Sequence, residues 1–269
     1  MRLILRSIYA FIAFALCTHA AAQAQESTFD VVKKRGALIA GVKNDYPPAG
    51  YIDKQGDWVG IDVDMAKYIA QKLGVKLQMQ AVTSRTRIPM LVNSNVDLII
   101  NINPTRERAQ TIDFTSPYFL AGTTFLVAKD SGIKSVADLA PPRKIGSVQG
   151  SADAPGLLAQ LPNADVQYFQ EFPEVFVALK QKKIDAMLTA SVTLAEFSKN
   201  DSDLVVVMPP FKPDPWAIGV RQNDSKWRLF VEEAIMDASA DGTIARLHQQ
   251  YIGTPINFTV PVWPDYVQK

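Results

Sequence analysis

Hydrophobic positions along this chain follow two alternating periods. Three short apolar runs, LIAGV (38–42), LQMQA (77–81) and VDLII (96–100), read as strands. Between the first two, Met65, Ala66, Ile69, Ala70 and Leu73 recur at helical spacing, with Asp62 as the expected N-cap and Gly74 as the stop. Another helix is expected to open within TSRTRIP (83–89). Strand and helix therefore alternate as βαβαβ, which predicts an α/β unit built on a largely parallel sheet.

The alternation then repeats. Residues 123–129 read as a strand leaving the first unit, and a second unit starts at Ser135. It holds strands at 144–148 and 166–169, helices near 156–161 and 174–181, and the apolar run IDAML (184–188). That run echoes VDLII: a β-branched residue, Asp, then an apolar strand after a helix and a polar turn. WAIGV (216–220) reads as a return strand, 230–240 as an amphipathic helix broken at Asp241 and Gly242, and 244–251 as a last helix. The extended crossings near Ala128 and Pro215 predict a hinge between two lobes. The expected division is 36–127 for lobe one, 128–216 for lobe two, and 217–269 returning to lobe one before a proline-bearing tail.

Candidate chemistry gathers behind VDLII, in NINPTRER (101–108). Asn101, Asn103 and Thr105 offer amides and a hydroxyl on what reads as a loop, and Arg106 and Arg108 follow. A loop at the carboxyl end of a buried α/β strand is where such sheets present ligands. A planar guanidinium beside it can grip both oxygens of a carboxylate.

These residues also carry a resemblance. TRER (105–108) followed by IDFTSPYF (112–119) is similar to the "TPER…vDFSxPYF" signature of the family 3 extracellular solute-binding proteins, the periplasmic receptors of polar amino-acid ABC importers. The likeness continues through GVKNDYPP (41–48), GIDVD (60–64) and VADL (136–139), covering roughly residues 36–253. It implies an α/β, two-lobed periplasmic-binding-protein fold (Venus flytrap, type II) with two hinge-crossing strands. It also implies a small-molecule ligand held between the lobes, an inner-membrane ABC permease as partner, a monomer, and no cofactor.

Site roles follow from the same resemblance. Arg108 matches the arginine that clamps the ligand α-carboxylate, with Asn101, Asn103 and Thr105 on the supporting loop; Asn103 stands where threonine is common. Arg106 is expected to face solvent. Tyr46 matches an aromatic wall. Gln149, Gly150, Ser151 and Ala152 match a turn whose amides reach the ligand from lobe two, and Thr189 lies on the strand facing it. Arg87 is found in relatives that select aspartate or glutamate, which share Lys43 in the GVKND string; Asp45 adjoins it. Two guanidiniums repel unless an anionic group lies between them, so a ligand with two carboxylates is expected. The alternative is that Arg87 pairs with Asp45. Where the family places an acid for the ligand ammonium, this chain has Ala190. A buried ammonium without an anion is costly. Either Asp45 or Asp214 takes that role, or the ligand is an amine-free dicarboxylate.

Composition narrows the rest. The 269 residues are 48% hydrophobic with mixed charges, an ordinary globular balance. Arg2 and Arg6 before an apolar run at 8–16, then small residues at 20–24, make residues 1–24 an expected secretory signal cleaved near Ala22 or Ala24, for export to the periplasm. Cleavage would take the one cysteine, Cys17, and leave 26 of the 28 basic residues against 27 acidic ones, a formal charge of −1. No basic excess points to nucleic acid. With His248 as the one histidine left, expected at a surface or interface, neither a His/Cys metal cluster nor a Ser–His–Asp set is available. The expectation is a receptor without catalysis, a dehydratase acting on cyclohexadienyl acids being the enzyme alternative that the fold's relatives allow.

Overall fold

The computed structural model describes residues 26–255. The expected signal segment and Cys17, and the tail beyond Pro255, lie outside the described residues. A short helix α1 (Thr28–Arg35) starts on the Ser27 side chain and stops at Gly36 in the left-handed region, φ 71°. Strand β1 (Ala37–Val42) follows, and β2 (Asp45–Tyr46), β3 (Gly50–Ile52) and β4 (Trp58–Val59) form a small antiparallel sheet beside it. Helix α2 (Ile61–Leu73), β5 (Lys76–Ala81), α3 (Arg87–Val92) and β6 (Leu98–Ile102) complete the βαβαβ unit, with β5 and β6 both parallel to β1.

After β7 (Ile112–Phe114) comes the ten-residue β8 (Phe119–Ala128). The second unit contains β9 (Lys144–Val148), α4 (Asp153–Leu158), β10 (Asp165–Phe169), α5 (Phe172–Lys180), β11 (Ala186–Ala190), α6 (Ser191–Ser198) and β12 (Leu204–Val206). The chain returns along β13 (Lys212–Arg221) into α7 (Ser225–Ala240) and α8 (Thr243–Ile252). Among the described residues the main sheet runs β10-β9-β11-β8-β13-β6-β1-β5, with β12 on β8 and β7 on β13.

Two long strands join the halves of this sheet. Residues 212–216 of β13 pair antiparallel with 119–123 of β8. Beyond that ribbon, β8 runs on against β11, whereas β13 runs on against β6 and β7. Each strand thus belongs half to each lobe, and both are longer than the hydrophobic pattern suggests. Pro213 and Pro215 mask the start of β13; they are tolerated because that stretch pairs on one side alone, where a missing N–H leaves no ladder bond unmade.

The echo between VDLII and IDAML has a physical counterpart. Asp97 accepts the Ile39 N–H (2.7 Å) at the start of the neighbouring strand and is held by the Arg35 guanidinium. Asp185 accepts the Lys144 N–H (2.8 Å) at the start of its neighbour and is held by Arg143 (2.8 Å). Each Asp ties together the feet of two adjacent parallel strands, β1 with β6 and β9 with β11.

Several expectations change. Asp62 is not the N-cap of α2; Gly60 is, at φ 127°, because a Cβ there would lie 2.1 Å from the Ala49 carbonyl oxygen. Asp62 is instead fully buried within the first turn, accepting the Tyr118 hydroxyl at 2.6 Å. Asn101 and Ile102 are not loop but the last residues of β6, held there by Ile102 opposite Ala217, with Asn101 at a positive φ of 62° that asparagine tolerates. His248 is buried rather than superficial, stacked on Phe119 with ring centroids 5.3 Å apart, as expected of a histidine on the inner face of an amphipathic helix. No helix among the described residues is long and apolar enough to cross a membrane.

Candidate functional site

The two halves of the molecule meet around the start of β2, the end of β6 and the 149–153 turn. Apart from those made within or to the β8–β13 ribbon, three hydrogen bonds among the described residues cross between them. The Tyr46 and Thr189 hydroxyls lie 3.0 Å apart, the Phe172 N–H donates to the Asp45 carboxylate (3.1 Å), and Arg108 Nη2 donates to the Gly150 carbonyl (2.8 Å). Gly150 has to be glycine: its φ is 80°, and a Cβ would come within 2.8 Å of the Ser84 carbonyl oxygen of the opposing loop.

Strand β6 and the residues behind it set the polar floor. Arg87, at the first position of α3, is 2% exposed and donates through Nη1 to the Asn101 carbonyl, leaving its Nε without a partner. Arg108 Nη1 donates to the Asn103 carbonyl at 3.0 Å, and the Thr105 hydroxyl accepts the Arg108 N–H at 3.2 Å. The Asn103 amide reaches the Pro215 carbonyl (3.0 Å) and Asp214 Oδ1; Trp216 Nε1 donates to Asp214 Oδ2 at 2.9 Å. Both oxygens of Asp214 are therefore taken up by structural donors. On one flank Tyr46 packs on Phe172 and Trp216, centroids 4.4 and 5.9 Å away, and the Lys43 ammonium stands 4.0 Å over the Tyr46 ring. A cavity of about 370 Å³ opens beside this floor, with Asn103, Thr105, Arg108, Ser151, Gly156 and Lys212 in its wall.

Burying so many charges together moves their protonation. Burial, then the Arg87 charge, brings Lys43 down to about 7. Burial, then the Arg108 charge, brings Arg87 down to about 9, and burial lowers Arg108 as well. Burial lifts Asp62 to about 6 against the opposing Tyr118 hydrogen bond and Lys43 charge. Asp153 also rises to about 6, first through burial and then through the Asp214 charge beside it. Asp45 is raised by burial, partly offset by the Phe172 N–H. The space thus holds under-solvated cations and under-solvated carboxylates at once, an arrangement that a ligand of complementary charge would relieve.

Of the residues singled out in the sequence, Lys43, Tyr46, Arg87, Asn101 and Thr189 are buried here, and Asp45, Asn103, Thr105, Arg108, Ser151 and Ala152 are partly so. Arg106 is exposed. Gln149 and Gly150 are exposed at the rim, where the Gln149 N–H donates to the Phe169 carbonyl and the Ser151 N–H to Val148. What this turn turns toward the opposite half is the Gly150 carbonyl. No ion pair joins Arg87 to Asp45, whose carboxylate accepts the N–H of Phe172, the first residue of α5, instead. Sequence reasoning passed over Asp153 and Asp62, each an acid in the first turn of a helix and so indistinguishable by pattern from an ordinary helix-start charge. No group of acidic, His or Cys side chains among the described residues could hold a metal ion.

Residues 38–254 match the family model described as bacterial extracellular solute-binding proteins, family 3. The ABC transporter glutamine-binding protein GlnH of Bacillus subtilis is 31% identical over 261 residues, covering 93% of this chain and 96% of the relative. A glutamine-binding protein of Geobacillus stearothermophilus is 38% identical over 72% of this chain and 76% of its own length. Among solved structures, a mutant of ArgBP from T. maritima superposes with a TM-score of 0.79 at 30% identity, over 84% of this chain and all of that one. The ancestral amino acid-binding protein AncCDT-1, a precursor of cyclohexadienyl dehydratase, gives 0.76 at 33% identity, over 84% of this chain and 99% of that one. With the model match spanning most of its length and the architecture shared, this two-lobed chain belongs to the family 3 bacterial extracellular solute-binding proteins.

Proposed function

We propose that this protein is the periplasmic receptor of an ABC importer and that it binds an acidic amino acid, L-glutamate or L-aspartate, between its lobes without chemical turnover. Lobe one comprises 36–127 with the returning 217–269, and lobe two 128–216, the ends of β8 and β13 near these bounds being the crossing segments that extend into both. The amino-acid class is supported by the relatives, which are named as glutamine-, cystine-, glutamate- and arginine-binding proteins. Acidic specificity is supported by one observation above others: Arg87 is buried with its Nε unpartnered and feels the charge of Arg108, so two guanidiniums lie near enough to repel each other. Two carboxylates on one ligand satisfy both. In this reading Arg108, with Asn101, Asn103 and Thr105 behind it, takes the α-carboxylate, and Arg87 takes the side-chain carboxylate. Tyr46, Lys43, Asp45 and Thr189 close the wall, and 149–152 approach from lobe two. A monomer in its mature form, cleaved near residue 22 or 24, would deliver the ligand to a membrane permease.

A second reading, a dicarboxylate without an amine, draws on Ala190, whose buried methyl offers an ammonium no acceptor. Calorimetric titration of the mature protein with L-glutamate, L-aspartate, glutarate and succinate separates the two. Saturable binding of the amino acids supports the first, and preference for glutarate or succinate the second. Silence from all four ends the two-carboxylate reading. Consumption of a cyclohexadienyl acid by the pure protein would end the receptor reading.

A further inference from the structure

We infer that Asp153 is the residue that receives the ligand ammonium, its carboxylate held over strand β8 in the space beside Ala190. The inference rests on the reading of the cleft as an amino-acid site. Its basis is the register of three strands. Ala190 of β11 is the direct partner of Thr123 in β8, and Thr123 is in turn the partner of Lys212 in β13. Residues directly opposite in antiparallel pairs project to the same side, so Ala190, Thr123 and Lys212 form one row across the sheet. The start of α4 lies on that row. Asp153 Oδ1 accepts the Thr123 hydroxyl at a long 3.4 Å, and Gly156, one turn further, rests on the Lys212 stem so closely that a Cβ would sit 2.2 Å from Cε. A carboxylate delivered from α4 therefore stands where a side chain from position 190 would otherwise point.

Three observations separate Asp153 from the other acids nearby. Asp214 spends both oxygens on Asn103 and Trp216, and Asp45 spends one on the α5 terminus. Asp62 accepts the Tyr118 hydroxyl on Oδ1 and has an unpartnered Oδ2, but neither residue belongs to the row of Ala190, Thr123 and Lys212. Asp153 is 5% exposed, its carboxylate takes the long Thr123 bond, a Ser151 hydrogen bond and the Lys212 charge, and its own charge acts on Lys43, Tyr46 and Arg87 across the interface. Its carboxyl is also lifted to about 6 by burial and by Asp214, a penalty that an ammonium placed against it would offset. Opposite it, Arg87 Nε is a buried donor without an acceptor. A buried carboxylate and a buried guanidinium with an unpartnered Nε thus act on each other across the interface, which fits a ligand carrying both charges.

The test uses Asp153→Asn in the mature chain, titrated calorimetrically with L-glutamate, L-glutamine and glutarate, the last being the same dicarboxylate without the amine. Asp153→Asn is expected to weaken both amino acids at least 30-fold while changing glutarate less than threefold. The pair Asp153→Asn with Ala190→Asp, which moves the carboxylate onto the strand, is expected to recover part of the loss. Asp214→Asn, which loosens Asn103 and Trp216, should weaken all three ligands alike. The inference is overturned if the unaltered protein binds an amino acid and Asp153→Asn binds it equally well, or if Asp214→Asn alone is selective for the amine. An unaltered protein that binds neither amino acid overturns the underlying amino-acid reading instead, and the inference with it. The thermal midpoint of unliganded Asp153→Asn, expected to match or exceed the original, guards against a folding defect.

Discussion

Replacing Arg87 with methionine separates what this side chain does for a ligand from what it does for the fold. Methionine keeps most of the apolar stem and removes the guanidinium. A hydrogen bond to a charged partner contributes about 1.5–3 kcal/mol, and a buried carboxylate stripped of its cation adds its own desolvation. For L-glutamate the expected loss is about 3 kcal/mol, roughly 100-fold in dissociation constant at 1.4 kcal/mol per decade. L-glutamine presents a neutral carbonyl to the same position and should lose about 1 kcal/mol, roughly fivefold. The unliganded fold should respond differently. Arg87 is desolvated and repelled by Arg108, and its removal relieves both, while the Asn101 carbonyl loses its donor. Those opposing effects are each of order 1 kcal/mol, so the thermal midpoint should move by no more than about 2–4 °C. Calorimetry with both ligands and a melting curve without either complete the assay. Equal losses for glutamate and glutamine, or none, would remove Arg87 from the recognition of the ligand side chain.

Three further outcomes follow from the same geometry. Because Asp153 has a pKa of about 6 in the empty site, and an ammonium favours its ionised form, L-glutamate affinity should rise as pH goes from 5 to 7 by up to about tenfold per unit below 6. Asp153→Asn should flatten that rise, measured with Asp214, Lys212, Lys43, Arg87 and Arg108, the charged groups around it, unchanged. Lys43 has a folded pKa of about 7 against 10.5 for the free group, so the native state binds fewer protons between those values and its cost is present in full below 7. Lys43→Met should therefore raise the thermal midpoint at pH 6–7, with the advantage shrinking toward pH 10. Gly150→Val, which puts a side chain against the Ser84 carbonyl and strains a positive φ, should weaken every ligand by a similar factor, read as parallel shifts in calorimetric affinity.

Much of the architecture was legible because strands and helices alternate with opposite hydrophobic periods. The Asp-led runs at 97 and 185 were visible as an echo, and the fold shows why: each Asp ties two strand feet together. Pro213 and Pro215 concealed half of β13, since local pattern cannot reveal that a strand pairs on one side alone. The turn at 149–152 and Arg87 were marked by the family resemblance, and Arg108 by its chemistry as well, but Asp153 was marked by neither. Its surroundings come from the register of β8 against β11 and β13, at Thr123, Ala190 and Lys212, thirty or more positions away, and from Gly156 letting α4 lie on Lys212. Burial of Asp62 was hidden for the same reason: Gly60, not the acid, starts α2, and Tyr118 comes from far along the chain.

The bond from Asp45 to the Phe172 N–H joins the small sheet of one lobe to the first residue of α5 in the other. It exists only when the lobes are together, and it need not touch a ligand. Losing a hydrogen bond to a charged acceptor costs about 1.5–3 kcal/mol. That cost falls on the shut form alone, and an apparent dissociation constant is the intrinsic one divided by the fraction of molecules in the competent form. Where the open form dominates, shifting that fraction tenfold shifts the affinity for every ligand tenfold and leaves their ranking untouched. On the proposed site, position 45 would set how much solute must be present before the receptor fills, while the arginines and Asp153 would set which solute it is. The two properties can be tuned separately, by substitutions that never meet in space.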